Sequence, residues 1–211
     1  MDGLRERKKL RTRQAISDAA IRLFLDRGFD KVSVADIAAA AEVSKPTLFK
    51  YFPAKEDLVL DRIADHREES ARVVRGRRDG EAPLAALHRH FRELLRARDP
   101  VTGLSDEPDS LRMRAMIYRT PGLAASMARW ASRAEQALAE ALAETDPPRT
   151  PPLSAELAAA QIITVQLRLA ERTTGRLADG TITADELYPE ARAAADLAFR
   201  LLGHGLAAHY G

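Results

Sequence analysis

Ser44, Lys45, Thr47, Lys50 and Tyr51 fall within one short segment, and together their side chains offer the groups that reading a nucleic acid requires. The two ammonium groups can donate to guanine O6 and N7 or to phosphate, the Thr47 methyl can meet a thymine methyl, and the Tyr51 hydroxyl suits a phosphate. For such groups to face outward together the segment must be a helix with an apolar underside, and Leu48, Phe49 and Phe52 are read as that inner face. Ser44 is a good cap, Pro46 is tolerated in the first turn because the N–H it lacks would have no partner there, and Pro53 stops the helix after Tyr51.

The elements that position this helix lie just upstream. Ser33 caps a helix starting near Val34, with Asp36 at the positive end of its dipole. Val34, Ile37, Ala38 and Ala41 then repeat at i, i+3, i+4 and i+7, giving a small apolar face for about two turns before the break at Ala41-Glu42-Val43. Before these, Ile16, Ala20, Leu23, Phe24 and Arg27 mark one long helix, Leu4 to Arg27, closed by Gly28. Its start is basic: Arg5, Arg7, Lys8, Lys9, Arg11 and Arg13 stand against Asp2 and Glu6. A charge run is usually a solvated helix face; placed before two short capped helices, it suits phosphate contact.

The order cap, short helix, turn, cap, second helix, and most specifically VSKPTLFKYFPAKEDL, residues 43 to 58, resembles the helix-turn-helix of the TetR (tetracycline-repressor) family of bacterial transcriptional regulators. The resemblance covers roughly residues 10 to 60. It departs from the commoner family pattern at Glu42, where many members have Gly, and at Ala54, where Ser often caps the next helix. A left-handed Glu42 carries strain of about 1 kcal/mol, and the absent cap forgoes about as much. The resemblance implies a helix-turn-helix DNA-binding domain at residues 1–54 and a larger helical effector-binding and dimerisation domain at 55–211. DNA-contacting candidates are Arg11, Ser33, Ser44, Lys45, Pro46, Thr47, Lys50 and Tyr51. Lys55, at the start of the next helix, can join them by holding a phosphate.

Composition agrees with an all-α chain of about nine helices. Among 211 residues Ala, Leu, Arg and Glu dominate, aromatics are 5%, and no alternating run is long enough for a central strand. The length allows one large core or two smaller ones. A net charge of +2 excludes a general polyanion binder. Cysteine is absent, which rules out disulfides and thiolate metal sites and is compatible with a reducing, cytoplasmic setting. No segment approaches the ~20 apolar residues of a membrane span. Charged residues such as Asp18 and Arg22 interrupt what would be the apolar core of a signal peptide.

Further along, a fourth helix is expected over Lys55–Arg78, linking the two domains. A fifth follows to Arg98 on Leu84, Leu87, Phe91, Leu94 and Leu95, a sixth runs from Leu111 to Thr120, and a seventh from Pro121 to Glu144. Asp146 to Pro152, DPPRTPP, reads as an extended crossover. Two long helices, Ser154–Leu177 and Tyr188–Ala208, finish the chain. Their stripes, with Ile162, Val165, Ala194, Leu197, Ala198 and Leu201, are read as a dimer interface; the alternative is that they close a monomeric core. Two-fold pairing favours the dimer, since it sets two short readers about one DNA turn, ~34 Å, apart.

Phe91, Met113, Met116, Tyr118, Met127 and Trp130, with Gln166 as a polar group, are candidates to line a pocket for a small apolar effector, though any one of them is as readily plain core. The resemblance favours the pocket, because family members commonly bind a ligand among these helices. No metal or cofactor is expected: His88 and His90, or His204 and His209, are not spaced as paired ligands. No nucleophile elbow, phosphate-binding Gly loop or zinc-protease motif supports catalysis. The reading is a homodimeric repressor of a palindromic DNA operator, released by an effector. A constitutive architectural DNA binder and a helical enzyme stand as alternatives, distinguished by site preference, salt dependence and turnover.

Overall fold

A computed structural model of the chain describes residues 2–61, 66–145 and 152–205. Among them it contains α-helices and no strand: α1 Asp2–Arg27, α2 Val34–Ala40, α3 Lys45–Tyr51, α4 Asp57–Leu60, α5 Glu69–Arg75, α6 Pro83–Arg96, α7 Pro108–Arg119, α8 Pro121–Ala143, α9 Pro152–Leu177 and α10 Ala184–His204, with a 3-10 turn at Pro100–Thr102. The expected single helix over 55–78 is instead two shorter ones, α4 and α5: residues 66–68 before α5 form a turn and Gly76 ends α5 at Arg75, while residues 62–65 lie outside the described set. The expected crossover also lies outside it, save Pro152, which opens α9. The last helix begins four residues earlier than Tyr188, at Ala184, because Thr183 and Glu186 form a capping box that outweighs Pro189 inside the helix.

Two compact units emerge, residues 1–65 with 112–128 and residues 66–111 with 129–211. In the first, α1 lays Ile16, Ala20 and Phe24 against Ile37 of α2, Leu48 of α3, Phe52 and Leu58. Ile117 of α7 and Leu123 of α8 belong to the same core. Residues 112–128, which the sequence assigned to a C-terminal domain beginning at 55, therefore complete the N-terminal core. Burial decides this: Ile117 and Leu123 leave water by packing there.

In the second unit α6 packs on α5 and α10, and α10 packs on α9. Leu87, Phe91 and Leu95 of α6 are buried, as are Ala159, Ile163 and Ala170 of α9 and Ala195 and Phe199 of α10. His88 stacks on Phe199 at 4.8 Å between ring centroids, and its Nε2 lies 2.7 Å from Asp196. Gly103, in left-handed conformation at φ +77°, lets the 3-10 turn approach the backbone of α9.

Candidate nucleic-acid interface

Caps hold the two short helices α2 and α3. The Ser33 hydroxyl accepts from the Asp36 N–H at 3.1 Å, and the Asp36 carboxylate accepts from the Ser33 N–H at 2.8 Å. The Ser33 hydroxyl, which also donates to that carboxylate at 2.6 Å, and after it the Ser33 N–H hold the Asp36 carboxyl below its usual range. In α3 the Ser44 hydroxyl accepts from the Thr47 N–H at 3.2 Å and lies 2.8 Å from the Thr47 hydroxyl. Between the helices the backbone reverses through Glu42, at φ +54°, so the turn that often carries Gly is here made by a left-handed glutamate.

The underside of α3 is fixed by Leu48 and by Phe52, its C-cap, both fully buried. Arg13 of α1 secures the far end. Its Nε and Nη2 donate to Asp61 at 2.9 and 2.6 Å, its Nη1 donates to the Tyr51 carbonyl at 3.3 Å, and its guanidinium lies 4.6 Å from the centre of the Phe52 ring. One side chain thus satisfies an end carbonyl of α3 and packs on its cap.

Placed on this frame, Lys45, Pro46 and Lys50 are exposed, as are Ser44, Ser33 and Arg11. Thr47 and Tyr51 are half-buried at the flank, with Tyr51 packed against the core. Two assignments need correction. Phe49, expected inside, is 47% exposed. At about 100° per residue Phe49 falls on the flank of α3, about 100° from Leu48, and that flank is left uncovered. Lys55, expected to meet phosphate, turns inward: its ammonium donates to the Phe29 carbonyl and lies 4.2 and 5.6 Å from the centres of the Phe29 and Phe24 rings. Ala54 lacks the capping hydroxyl, and the Asp57 carboxylate instead accepts from the Ala54 N–H at 2.9 Å.

The effector candidates divide between the units. Phe91, Trp130 and Gln166 share the lining of a cavity of about 50 Å³ with His66, Glu69, Ser70 and His90. Met113, Met116 and Met127 pack against the core of the first unit, and Tyr118 is 47% exposed, so the structure does not bring these four to that cavity. The cavity's polar wall is centred on Glu69, whose carboxylate lies 2.7 Å from His66 Nδ1 and 3.1 Å from His90 Nε2. Burial pushes the Glu69 carboxyl up, yet hydrogen bonds and charge from the two imidazoles outweigh it and bring it to about 2. Spacing along the sequence sets His90 only beside His88; the local signal for this wall is the i, i+3 pair His66 and Glu69. Among the described residues no group of three or more side chains is arranged to hold a metal, and no helix is long and apolar enough to cross a membrane.

Of the interface candidates, Ile162 is 5% exposed, Val165, Ala194, Ala198 and Leu201 are half-buried, and Leu197 is 45% exposed. Leu153 and Leu157 of α9 are also exposed, at 62% and 54%.

The fold and this surface define a helix-turn-helix protein with an additional all-helical unit. Residues 16–61 match the family described as bacterial regulatory proteins, tetR family. The HTH-type transcriptional regulator TcmR of Streptomyces glaucescens is 37% identical over 142 residues, 67% of this chain and 63% of that protein. The HTH-type transcriptional repressor KstR of Rhodococcus jostii is 27% identical over 149 residues, 69% of this chain and 66% of that protein. In both cases the match spans under two thirds of the relative's length. The crystal structure of Thermus thermophilus FadR in complex with lauroyl-CoA aligns with a TM-score of 0.52 at 26% identity, covering 92% of this chain and 94% of that one. Pseudomonas aeruginosa NalD shares the fold at a TM-score of 0.57 and 20% identity over 90% and 96% of the two chains. The chain belongs to the TetR family of bacterial transcriptional regulators.

Proposed function

We propose that this regulator acts in the cytoplasm as a homodimeric repressor that binds a palindromic operator through the outward face of α3 and is released by a small apolar effector. The observation that carries the reading is the pairing of a fully buried underside, Leu48 and Phe52, with an outward face bearing Lys45, Pro46 and Lys50. A second copy would supply the second reader, and the exposed leucines of α9 and α10 favour that pairing because their burial removes apolar surface from water.

The effector belongs in the cavity around Phe91, Trp130 and Gln166. That FadR was solved with lauroyl-CoA supports an apolar ligand, and the Trp130 indole N–H, buried without a hydrogen-bond partner among the described residues, favours one carrying an oxygen acceptor. At about 50 Å³ the cavity holds a few waters, well short of the roughly 300 Å³ or more of a ligand pocket. Binding therefore requires the surrounding helices to move apart, and an effector preferring that opened state shifts the population away from the DNA-binding one.

The test is selection of bound fragments from random DNA by the full chain, followed by fluorescence anisotropy. The expected result is one palindromic sequence bound with steep salt dependence, and loss of that binding with an apolar metabolite found by thermal shift. Binding without sequence preference at any salt concentration would overturn the repressor reading.

A further inference from the structure

We propose that Phe49 is a specificity-determining residue, its ring set against the 5-methyl group of a thymine on the floor of the major groove. The proposal rests on the DNA-reading role of α3. Nothing in the residue types alone singled Phe49 out; its exposure does, at 47%, on the helix whose neighbouring Leu48 and following Phe52 are fully buried.

With about 100° per residue, the outward side chains of α3 fall in the order Lys45, Phe49, Pro46, Lys50 across an arc of about 140°. The centre of that arc is apolar and its two edges are cationic. Thr47 and Tyr51 lie beyond the arc, half-buried, and the Thr47 hydroxyl is 2.8 Å from that of Ser44. The strip between the two lysines therefore has almost nothing to donate or accept.

A lone exposed ring is ordinarily unremarked on a protein surface. This one sits between two lysines whose complement is phosphate or guanine, so docking those lysines carries the ring inward between the two phosphate ridges. A phenyl ring there cannot satisfy the amino or carbonyl edges of the bases, and covering them would strip their water without replacement. The thymine methyl is the apolar group that the major-groove floor presents, and it is the one that leaves no polar atom unpaired beneath the ring.

The experiment takes the fragment that the full chain enriches from random DNA and replaces each thymine singly with deoxyuridine, which deletes only the methyl. Affinities of the wild-type chain and of Phe49→Ala are measured on every fragment by anisotropy, with melting curves to show that the variant folds. At one thymine of each half-site the change is expected to cost the wild type about fourfold, the worth of one buried methyl, and to cost Phe49→Ala nothing. If every uridine costs both proteins alike, or none costs the wild type anything, the proposal is overturned while DNA reading stands. If the wild type enriches no fragment, both fall.

Discussion

Two basic side chains of the first unit separate binding from architecture. Lys50 projects from α3 with no part in the packing beneath it, so Lys50→Ala should weaken operator binding about tenfold, roughly one charge-assisted contact, and leave the melting temperature within about 1 °C. Arg13 binds Asp61 and the Tyr51 carbonyl and covers Phe52. Arg13→Ala leaves Asp61, whose side chain is 12% exposed, without that partner, and should cost about 2 kcal/mol in urea unfolding as well as weakening DNA binding. Both proteins measured by melting and by anisotropy give the contrast. The outward lysines were legible from residue type and caps, because caps are local. Phe49 and Lys55 were not: the first is decided by which flank of α3 the rest of the unit leaves uncovered, the second by the Phe29 carbonyl and the Phe24 and Phe29 rings.

At the level of elements, the 3-10 turn and α5 each contain a feature whose removal is measurable. A Cβ at Gly103 would lie 2.1 Å from the Ala170 carbonyl oxygen and 2.7 Å from Thr174 Oγ1, in a backbone conformation already strained for any other residue. Gly103→Ala should therefore destabilise the chain by about 3 kcal/mol, combining left-handed strain with a backbone clash, as read by chemical denaturation. Glu69 gives a pH dependence. Its folded pKa, about 2, lies below its ordinary 4.5, so its stabilising effect is complete above about pH 4.5 and is lost as pH falls toward 2. Glu69→Gln should flatten the acid limb of a stability-against-pH curve and cost about 1 to 3 kcal/mol at neutral pH, where two imidazoles lose their carboxylate. Helix extents were largely readable from caps and 3.6-residue stripes. The early start of α10 shows two local signals in conflict, Thr183 with Glu186 against Pro189, and the reciprocal cap prevailing.

For the whole molecule, the proposed pairing of two copies is open to a direct check. Leu197, 45% exposed on α10, should be covered by the second copy, so Leu197→Arg is expected to yield monomers in sedimentation velocity at micromolar concentration and to lower operator affinity at least tenfold. What sequence could not disclose is which core a distant stripe joins. Met113, Met116 and Met127 have the composition of a ligand pocket, and only the tertiary path sends them to the first unit. The same path has a practical corollary for anyone wishing to transplant the reader. A fragment cut cleanly after residue 65 would leave behind Ile117 and Leu123, two side chains of its own interior, so the first unit is not a removable cassette and chimaeras must carry residues 112–128 with it.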